Sequence, residues 1–309
     1  MITGRADQLL AILVAESMLG YPAWLFAAIG HPVSWVGTLI AWLERLWNRG
    51  GAVRQRAAGA ALLLAIAGLA VAAGWAVTRL AGDGWGMVAM ILIATTGLAQ
   101  RSLHDHVAAV LRPLLWNDLA GARTAVSAIV GRDTAALDEA GVAVAAIESL
   151  AESFCDGVVA PAFWFLVAGL PGLLVCKAIN TADSMIGHRD ERHGNFGWAA
   201  ARADDLVMLV PARLSGVLVA IAGGGGWKAM WRDAASHASP NGGWPEAAMA
   251  GALGRQLGGP VSYSGAPAPR ALLGDGPRPL TADLVRALRI YRRACLLLWL
   301  LIGVVAWLR

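Results

Sequence analysis

The sequence predicts an all-α, polytopic membrane protein with broken or re-entrant segments and a loop-rich site that faces the cytoplasm. First, 57% of the 309 residues are hydrophobic and 15% are charged, against about 45–50% and 25% in soluble domains. Second, the apolar residues form runs close to the ~20 residues that a membrane-spanning helix needs. Third, most charged residues lie between those runs, as the positive-inside rule expects.

Four apolar runs qualify as spanning helices, the last of them short. They are residues 8–29, 57–77, 84–100 and 294–308. Arginines concentrate in segment 41–56, whereas the link 78–83 is only a few residues long, so the former is expected in the cytoplasm and the latter outside. By parity, the N-terminus then lies outside.

Two further apolar runs, 158–175 and 206–222, contain residues that disturb a spanning helix. The first holds a proline and the sequence GLPG, and the second holds a proline and an arginine near its middle. Non-helical backbone at membrane depth survives only where protein buries it or where it lines a wet cavity. We therefore expect broken or re-entrant elements, which keep segments 176–205 and 223–293 on the cytoplasmic face.

Segment 223–293 is predicted to contain loops and one short helix over residues 247–257, opened by Pro245 and Glu246. No internal repeat is visible, so a single integral membrane domain is expected over residues 1–309. Its cytoplasmic polar segments 101–157, 176–205 and 223–293 would form the site.

The three cysteines form no CxxC pair and no cleavable signal peptide is apparent, which predicts a reducing cytoplasmic environment. The net charge of +4 is dispersed between apolar runs, which argues against nucleic-acid binding.

The sequence IESLAESFCDG places acids at four-residue spacing. On a helix, Glu148, Glu152 and Asp156 share one face, where like charges repel unless a positive partner lies opposite. A solvated acidic face has the same pattern. Here the segment leads directly into the apolar VVAPAFWF, so we expect carboxylates at the membrane boundary with a cation nearby.

A second group of polar residues begins at the end of the next apolar run. At helical spacing come Lys177, Asn180, Ser184 and His188, with Asp183 adjacent. Such a stripe of donors and acceptors is typical of a site for phosphate or metal-bridged phosphate. For the lysine alone, snorkelling to the membrane surface is the simpler explanation.

The sequences RADD, PAR and SPNGGWPE complete the set of candidates. They contribute Arg202, Asp204, Asp205, Arg213, Asn241 and Glu246. Paired aspartates near arginines suit a magnesium-nucleotide site, and they suit a structural ion-pair network equally. From spacing alone, SPNGGWPE is an ordinary glycine-permitted loop.

Several other types of site lack their motif. The sequence GGGGWK has neither the spacing nor the hydroxyl of a Walker loop. The HDH sequence and the pair His188 and His193 lack further zinc ligands, and no GxSxG is present. Any ATP site is therefore expected to be of another kind.

Four stretches together resemble the adenosylcobinamide-phosphate synthase family, the membrane-bound enzymes of cobalamin biosynthesis. They are ESFCDGVVAPAFW, GLPGLLVCKAINTADSMIGH, FGWAAARADDLVMLVPARL and SPNGGWPEAAMAGALGRQLGGPVSYSG, with weaker matches at 31–40 and 112–134. The resemblance implies an inner-membrane ligase that uses magnesium and ATP to join adenosylcobyric acid, a corrinoid, to aminopropanol phosphate. Membrane lipids and other cobalamin-pathway enzymes are the further partners it implies.

Carried onto this sequence, the resemblance implies a site of three parts. The catalytic residues are Glu152, Asp156, Lys177, Asn180 and Arg202. The phosphate and nucleotide contacts are Lys177, Arg202, Arg213, Asn241 and Glu246. The magnesium ligands are Asp183, Asp204 and Asp205. Glu152 is expected to deprotonate the attacking ammonium.

The chain departs from the family pattern at three places. Tyr21 replaces the acid of a Gly-Asp-Pro, Glu16 stands where an aspartate is usual, and Met208 stands where an asparagine is common. These departures leave threonine phosphate open as an alternative amine.

Two other functions remain open from the sequence. Intramembrane polar residues and broken helices are also how transporters hold substrates, although no inverted repeat is visible here. A non-catalytic subunit that presents corrinoids to other enzymes would bind corrinoid without turning over ATP.

Overall fold

A computed structural model describes residues 2–188, 190–263 and 265–308, and nearly all of its regular structure is helical. Within these residues, five stretches are long and apolar enough to cross a membrane: Ala23–Trp47, Ala52–Ala81, Trp85–Leu115, Glu139–Ile186 and Thr281–Trp307. A sixth arises if the bent pair Trp198–Val207 and Leu209–Gly223 counts as one span. The predicted fold class, a polytopic all-α membrane protein, is confirmed.

The helices are as follows in chain order. They are α1 (Ile2–Leu19), α2 (Ala23–Ile29), α3 (Pro32–Trp47), α4 (Ala52–Ala81), α5 (Trp85–Thr95), α6 (Gln100–Leu115), α7 (Leu119–Ser127), α8 (Glu139–Phe154), α9 (Ala160–Ile186), α10 (Trp198–Val207), α11 (Leu209–Gly223), α12 (Trp227–Asp233), α13 (Gly243–Leu253) and α14 (Thr281–Trp307). Two antiparallel pairs of short strands join β1 (Leu257–Gly258) to β4 (Leu272–Leu273) and β2 (Val261–Tyr263) to β3 (Ala266–Ala268).

The chain divides into two compact units, each assembled from separate stretches of sequence. The first unit contains the residues up to Ala99, Ala160–Met208 and the residues from Ile302 onward. The second contains Gln100–Val159 and Leu209–Leu301. The predicted polar segments therefore contribute to both units.

The core of the first unit holds the polar turn between α9 and α10 in place. Leu62 and Ile66 of α4 pack with Ile186 of α9 and with Phe196, which is fully buried although it lies in the turn. Helix α4 approaches this turn closely at Gly59, where an added β-carbon would collide with the Phe196 carbonyl. A small residue is therefore needed at Gly59.

In the second unit, most of α8 is buried. Its N-terminus is capped by Asp138, whose carboxylate accepts the N–H of Gly141 at 2.7 Å. Residues from Gly141 to Glu148 are buried without interruption. The helix ends in a π-helical turn over Cys155–Val159.

The predicted first span, 8–29, is wrong. Helix α1 stops before Gly20, which has the left-handed φ of 59°, and Pro22 cannot donate to a continuing helical ladder. The candidate span instead runs from Ala23 to Trp47. It takes in the first half of segment 41–56, which was predicted to be a cytoplasmic link.

The two disturbed runs, 158–175 and 206–222, are broken as predicted. The first lies inside the continuous stretch Glu139–Ile186, where Gly169 has non-helical angles (φ 70°, ψ −157°). The second lies in α10 and α11, between which the helix is broken at Met208. Which of these stretches cross the membrane, and the cytoplasmic orientation of the polar segments, stay predictions.

The short helix predicted over 247–257 exists but lies four residues earlier. It is α13, which carries Pro245 within its first turn. Its end is set by Gly254, whose left-handed backbone (φ 65°) provides the C-cap.

Candidate active site

The predicted site residues are divided between the two units. The first unit holds Lys177, Asn180, Asp183, Arg202, Asp204 and Asp205, and the second holds Glu152, Asp156, Arg213, Asn241 and Glu246. Each group is described in turn.

In the first unit, the last turns of α9 face α10. The Asn180 amide donates to Asp204 Oδ1 at 3.4 Å, which joins the two predicted phosphate-site segments. The guanidinium of Arg202 pairs with the Asp205 carboxylate at 3.3 Å, one turn along α10, and Arg202 is exposed. Arg202 and Asp205 are thus an ion pair in this structure, as the structural interpretation of RADD expected.

The carboxylates of this group offer the oxygen donors that magnesium prefers, but among the described residues they do not form a complete metal site. Among the described residues, no three His, Cys, Asp or Glu side chains converge on one point. Magnesium is commonly bound through one or two carboxylates together with substrate phosphates and waters. The oxygen donors of Asp183, Asp204 and Asp205 therefore fit magnesium that arrives with a nucleotide, and this assignment stays a prediction.

The polar turn that follows α9 is held by a buried acid. Glu44 of α3, whose side chain is 8% exposed, accepts both Nε and NH2 of Arg192 at 2.8 and 2.9 Å. The Asn48 amide donates to the Arg192 carbonyl at 2.9 Å. Because a bidentate arginine–carboxylate contact fixes geometry as well as charge, Glu44 fixes the segment between Asp183 and Arg202.

His188 departs from the predicted helical stripe. Helix α9 ends at Ile186, so His188 lies in the turn beyond it and is exposed. Its ring meets that of His193 edge-on, with centroids 6.2 Å apart.

In the second unit, arginines lie opposite the acidic face of α8, as the repulsion between its like-charged carboxylates predicted. Glu148 is 2% exposed and one of its oxygens contacts both Arg132 and Arg270, the latter at 3.1 Å. Its other oxygen accepts the N–H of Gly258 at 2.6 Å. The prediction of a cation opposite this face is confirmed.

Glu246 lies in the interior beside this pair. Its side chain is 0% exposed, and its Oε1 lies 3.5 Å from both Arg270 and His237. Its Oε2 has no hydrogen-bond partner among the residues that the structure describes. Burial, and then the charges of Glu148 and Glu152, raise the pKa of Glu246 well above its usual range. Burial therefore favours the protonated form of the Glu246 carboxyl group.

His237 is the complementary case of a base kept neutral. Burial lowers the pKa of the imidazole below its usual value. Arg270 lies 3.0 Å from Nε2, which must accept because a guanidinium only donates. On the other side of the ring, Nδ1 lies 3.2 Å from the Ser239 carbonyl oxygen and 3.1 Å from the Ser239 backbone nitrogen.

Glu152 and Asp156 do not share the environment of Glu148. Glu152, one turn after Glu148, is exposed, while Asp156 is half-buried in the π-helical turn. A π-helical turn changes the residue spacing, so the predicted common face of the three acids is interrupted. Glu152 is the exposed carboxylate of this stripe.

Asn241 and Trp244 hold the predicted phosphate-binding arginine of this unit. Arg213 donates to Asn241 Oδ1 at 2.9 Å and to the Leu209 carbonyl at 2.7 Å. Its guanidinium carbon lies 4.8 Å from the centre of the Trp244 ring, a cation–π contact. Asn241 thus contacts Arg213 directly, which suits a residue that positions a phosphate ligand.

Comparison with known proteins identifies the family. The CobD/Cbib protein family matches residues 9–291. The chain belongs to this family. A cobalamin biosynthesis protein CobD of Rhodobacter capsulatus is 52% identical to this CobD/Cbib chain over 97% of both chains. The cobalamin biosynthesis protein CobD of Rhizobium meliloti is 43% identical over 94% of both chains. That of Geobacter metallireducens is 42% identical over 97% of this chain and 96% of its own. No solved structure matches the chain significantly.

Three residues of the buried cluster around Glu148 and Glu246 were not singled out from the sequence of this CobD/Cbib chain: Arg132, His237 and Arg270. The one signal for the arginines was the repulsion expected on α8, which called for a cation without naming it. Arg132 and Arg270 are 16 and 122 residues from Glu148 in sequence. Nothing in the local pattern connects residues so far apart.

Proposed function

We propose that the chain is an adenosylcobinamide-phosphate synthase, which joins adenosylcobyric acid to aminopropanol phosphate at the expense of ATP. The observation that carries the proposal is similarity over nearly the full length to proteins named for cobalamin biosynthesis. The motifs behind the sequence-based prediction also coincide with the two groups of charged side chains described above, which supports an enzyme.

The reaction needs an activated carboxyl group, because a carboxylate does not react with an amine unaided. A carboxylate oxygen of the corrinoid attacks the γ-phosphorus of ATP, the bond to the β-phosphate oxygen breaks, and ADP leaves. The amine nitrogen then attacks the acyl carbon of the resulting acyl phosphate, and inorganic phosphate leaves with its oxygen. The proton that the ammonium loses is taken up by a base and released to water.

Phosphoryl transfer of this kind depends mainly on positioning and charge neutralisation. In the proposal, Lys177, Arg202 and Arg213 contact phosphate oxygens, and Asp183, Asp204 and Asp205 hold magnesium. Magnesium, when bound, neutralises the phosphate charge that develops during transfer.

The base in this proposal is Glu152. It is an exposed carboxylate on α8, and Glu148, one turn before it, is already paired with two arginines. A general base must reach the proton it removes, and only an exposed group can do so from the protein surface. Glu246, being buried, contributes through Arg270 and His237.

The proposal is tested with the full-length protein purified in detergent. It is supplied with adenosylcobyric acid, magnesium-ATP and aminopropanol phosphate, and the corrinoid product is identified by mass while ADP is counted. We expect one amide for each ADP, and no product when ATP or magnesium is omitted. Corrinoid binding without product would favour a carrier subunit, and absence of corrinoid binding would favour the transporter.

A further inference from the structure

Arg270 contacts three side chains of the second unit. It follows strand β3 and its side chain is 18% exposed. One terminal nitrogen contacts Glu148 of α8 at 3.1 Å. The other lies 3.0 Å from His237 and 3.5 Å from Glu246 of α13. A single guanidinium therefore ties α8, α13 and the loop before α13 together.

The imidazole that Arg270 holds lies next to Glu152. A β-carbon built on Gly242 would lie 2.9 Å from His237 Cε1 and 3.6 Å from Glu152 Oε1. Both groups therefore border the same small space at Gly242, and the backbone there is helical (φ −57°, ψ −33°). The charge of Glu152 also acts on both His237 and Arg270.

We propose that Arg270 is the positioning residue for Glu152. Arg270 holds His237 against Gly242, and it also holds Glu148, which lies one turn before Glu152 on α8. Together these contacts fix the carboxylate that accepts the ammonium proton. This inference rests on the proposed function. Arg270 itself is occupied by buried partners, so it acts through them and not on the substrate.

The geometry requires an arginine at this position. Two terminal nitrogens about 2.3 Å apart reach Glu148 on one side and His237 with Glu246 on the other, which the single ammonium of a lysine cannot do. Glu148 is the carboxylate that pairs with Arg270 and Arg132, whereas Glu152 on the next turn of α8 is exposed. Loss of Arg270 would release the imidazole and shift the charge around Glu152.

The two halves of the proposed reaction can be measured separately. Hydroxylamine is unprotonated at neutral pH, so it captures the acyl phosphate as a hydroxamate without a base. Aminopropanol phosphate carries an ammonium group, so amide formation needs the base. A residue that acts through Glu152 should affect the amide and spare the hydroxamate, whereas a general loss of structure lowers both.

The test compares Arg270→Lys with the matched control Arg278→Lys, whose arginine is half-exposed and pairs with Asp138 outside the cluster. We expect Arg270→Lys to lower amide formation at least about tenfold, as loss of a general base does, with hydroxamate formation within about twofold of wild type. The control should leave both rates unchanged, and Glu152→Gln should reproduce the split. If Arg270→Lys lowers both rates together, or lowers neither, the inference is wrong.

A second variant serves if Arg270→Lys does not fold, as judged by thermal unfolding. Gly242→Ala fits the helical backbone but places its methyl group between His237 and Glu152. The same split between amide and hydroxamate is expected, and a parallel loss of both would overturn the inference. A wild-type protein that makes neither product would instead refute the proposed function itself.

Discussion

At the residue scale, Glu246 shows how burial changes the chemistry of a carboxyl group. The family resemblance implied that it contacts the nucleotide, whereas the structure buries it, and one of its oxygens has no hydrogen-bond partner within the described part of the chain. When the protein unfolds, this carboxyl group enters water and its pKa returns to its usual range. Between the usual pKa of about 4.3 and the raised folded value, the folded state therefore binds more protons, and stability falls as pH rises.

The first prediction follows from that sign. Glu246→Gln keeps the shape of the neutral acid and has no proton to lose, so its melting temperature should fall less than that of wild type between pH 5 and 8. The difference in slope is at most about 1.4 kcal/mol per pH unit, since one proton is involved. The control is Glu191→Gln, at an exposed position, which should follow wild type. Parallel curves for Glu246→Gln and wild type would show that Glu246 is ionised when folded.

The second prediction concerns magnesium. Asp204→Asn keeps the contact with Asn180 but removes a negative oxygen, so we expect at least about tenfold loss of synthase activity and a higher magnesium requirement. Activity is measured across a magnesium titration. Asp275→Asn, at a carboxylate that is 75% exposed and outside both groups, is the control and should be unaffected. Full activity in Asp204→Asn would contradict the assignment.

The sequence anticipated some residue-level chemistry and not the rest. It required a cation near Glu148, because like charges on one helix face repel. It did not identify Arg132 or Arg270, because their contacts depend on the tertiary fold. The raised pKa of Glu246 and the lowered pKa of His237 depend on burial, which residue spacing does not report.

At the element scale, helix α8 depends on its cap. Asp138 accepts the Gly141 N–H, so Asp138→Ala should lower the free energy of unfolding by about 1 kcal/mol. Asp138→Asn keeps an acceptor and should lose less. Denaturant unfolding in detergent measures both, and equal values for the two variants would contradict the capping role.

Hydropathy predicted which regions are apolar helices better than where those helices stop. The run 8–29 is mostly apolar, yet the chain breaks at Gly20 and Pro22, because local backbone chemistry and not average hydropathy ends a helix. Where prolines and glycines were used directly, in 158–175 and 206–222, the predicted breaks are present.

At the scale of the whole molecule, the prediction of a multi-pass membrane protein is confirmed, whereas its orientation is a prediction that labelling can test. All three native cysteines are buried, so a cysteine introduced at an exposed serine should dominate the signal. Ser184→Cys and Ser236→Cys, one in each unit, should react with an impermeant maleimide in inverted membrane vesicles and not in intact cells. Labelling of either from outside the cell would contradict the cytoplasmic site.

The division into two compact units was not visible in the sequence. A domain boundary is recognised from a linker between consecutive segments, but here each unit is assembled from separate stretches. The predicted site residues were identified by motif, and the motifs carry no information about which unit each one joins.

The central claim is that ATP activates the corrinoid carboxyl group for attack by the amine. The most direct measurement uses adenosylcobyric acid with ¹⁸O in that carboxyl group, magnesium-ATP and aminopropanol phosphate, and determines the isotope content of the released phosphate. The proposed reaction predicts one labelled oxygen in inorganic phosphate for each amide formed. Amide formation with unlabelled phosphate, or no amide at all, would contradict it.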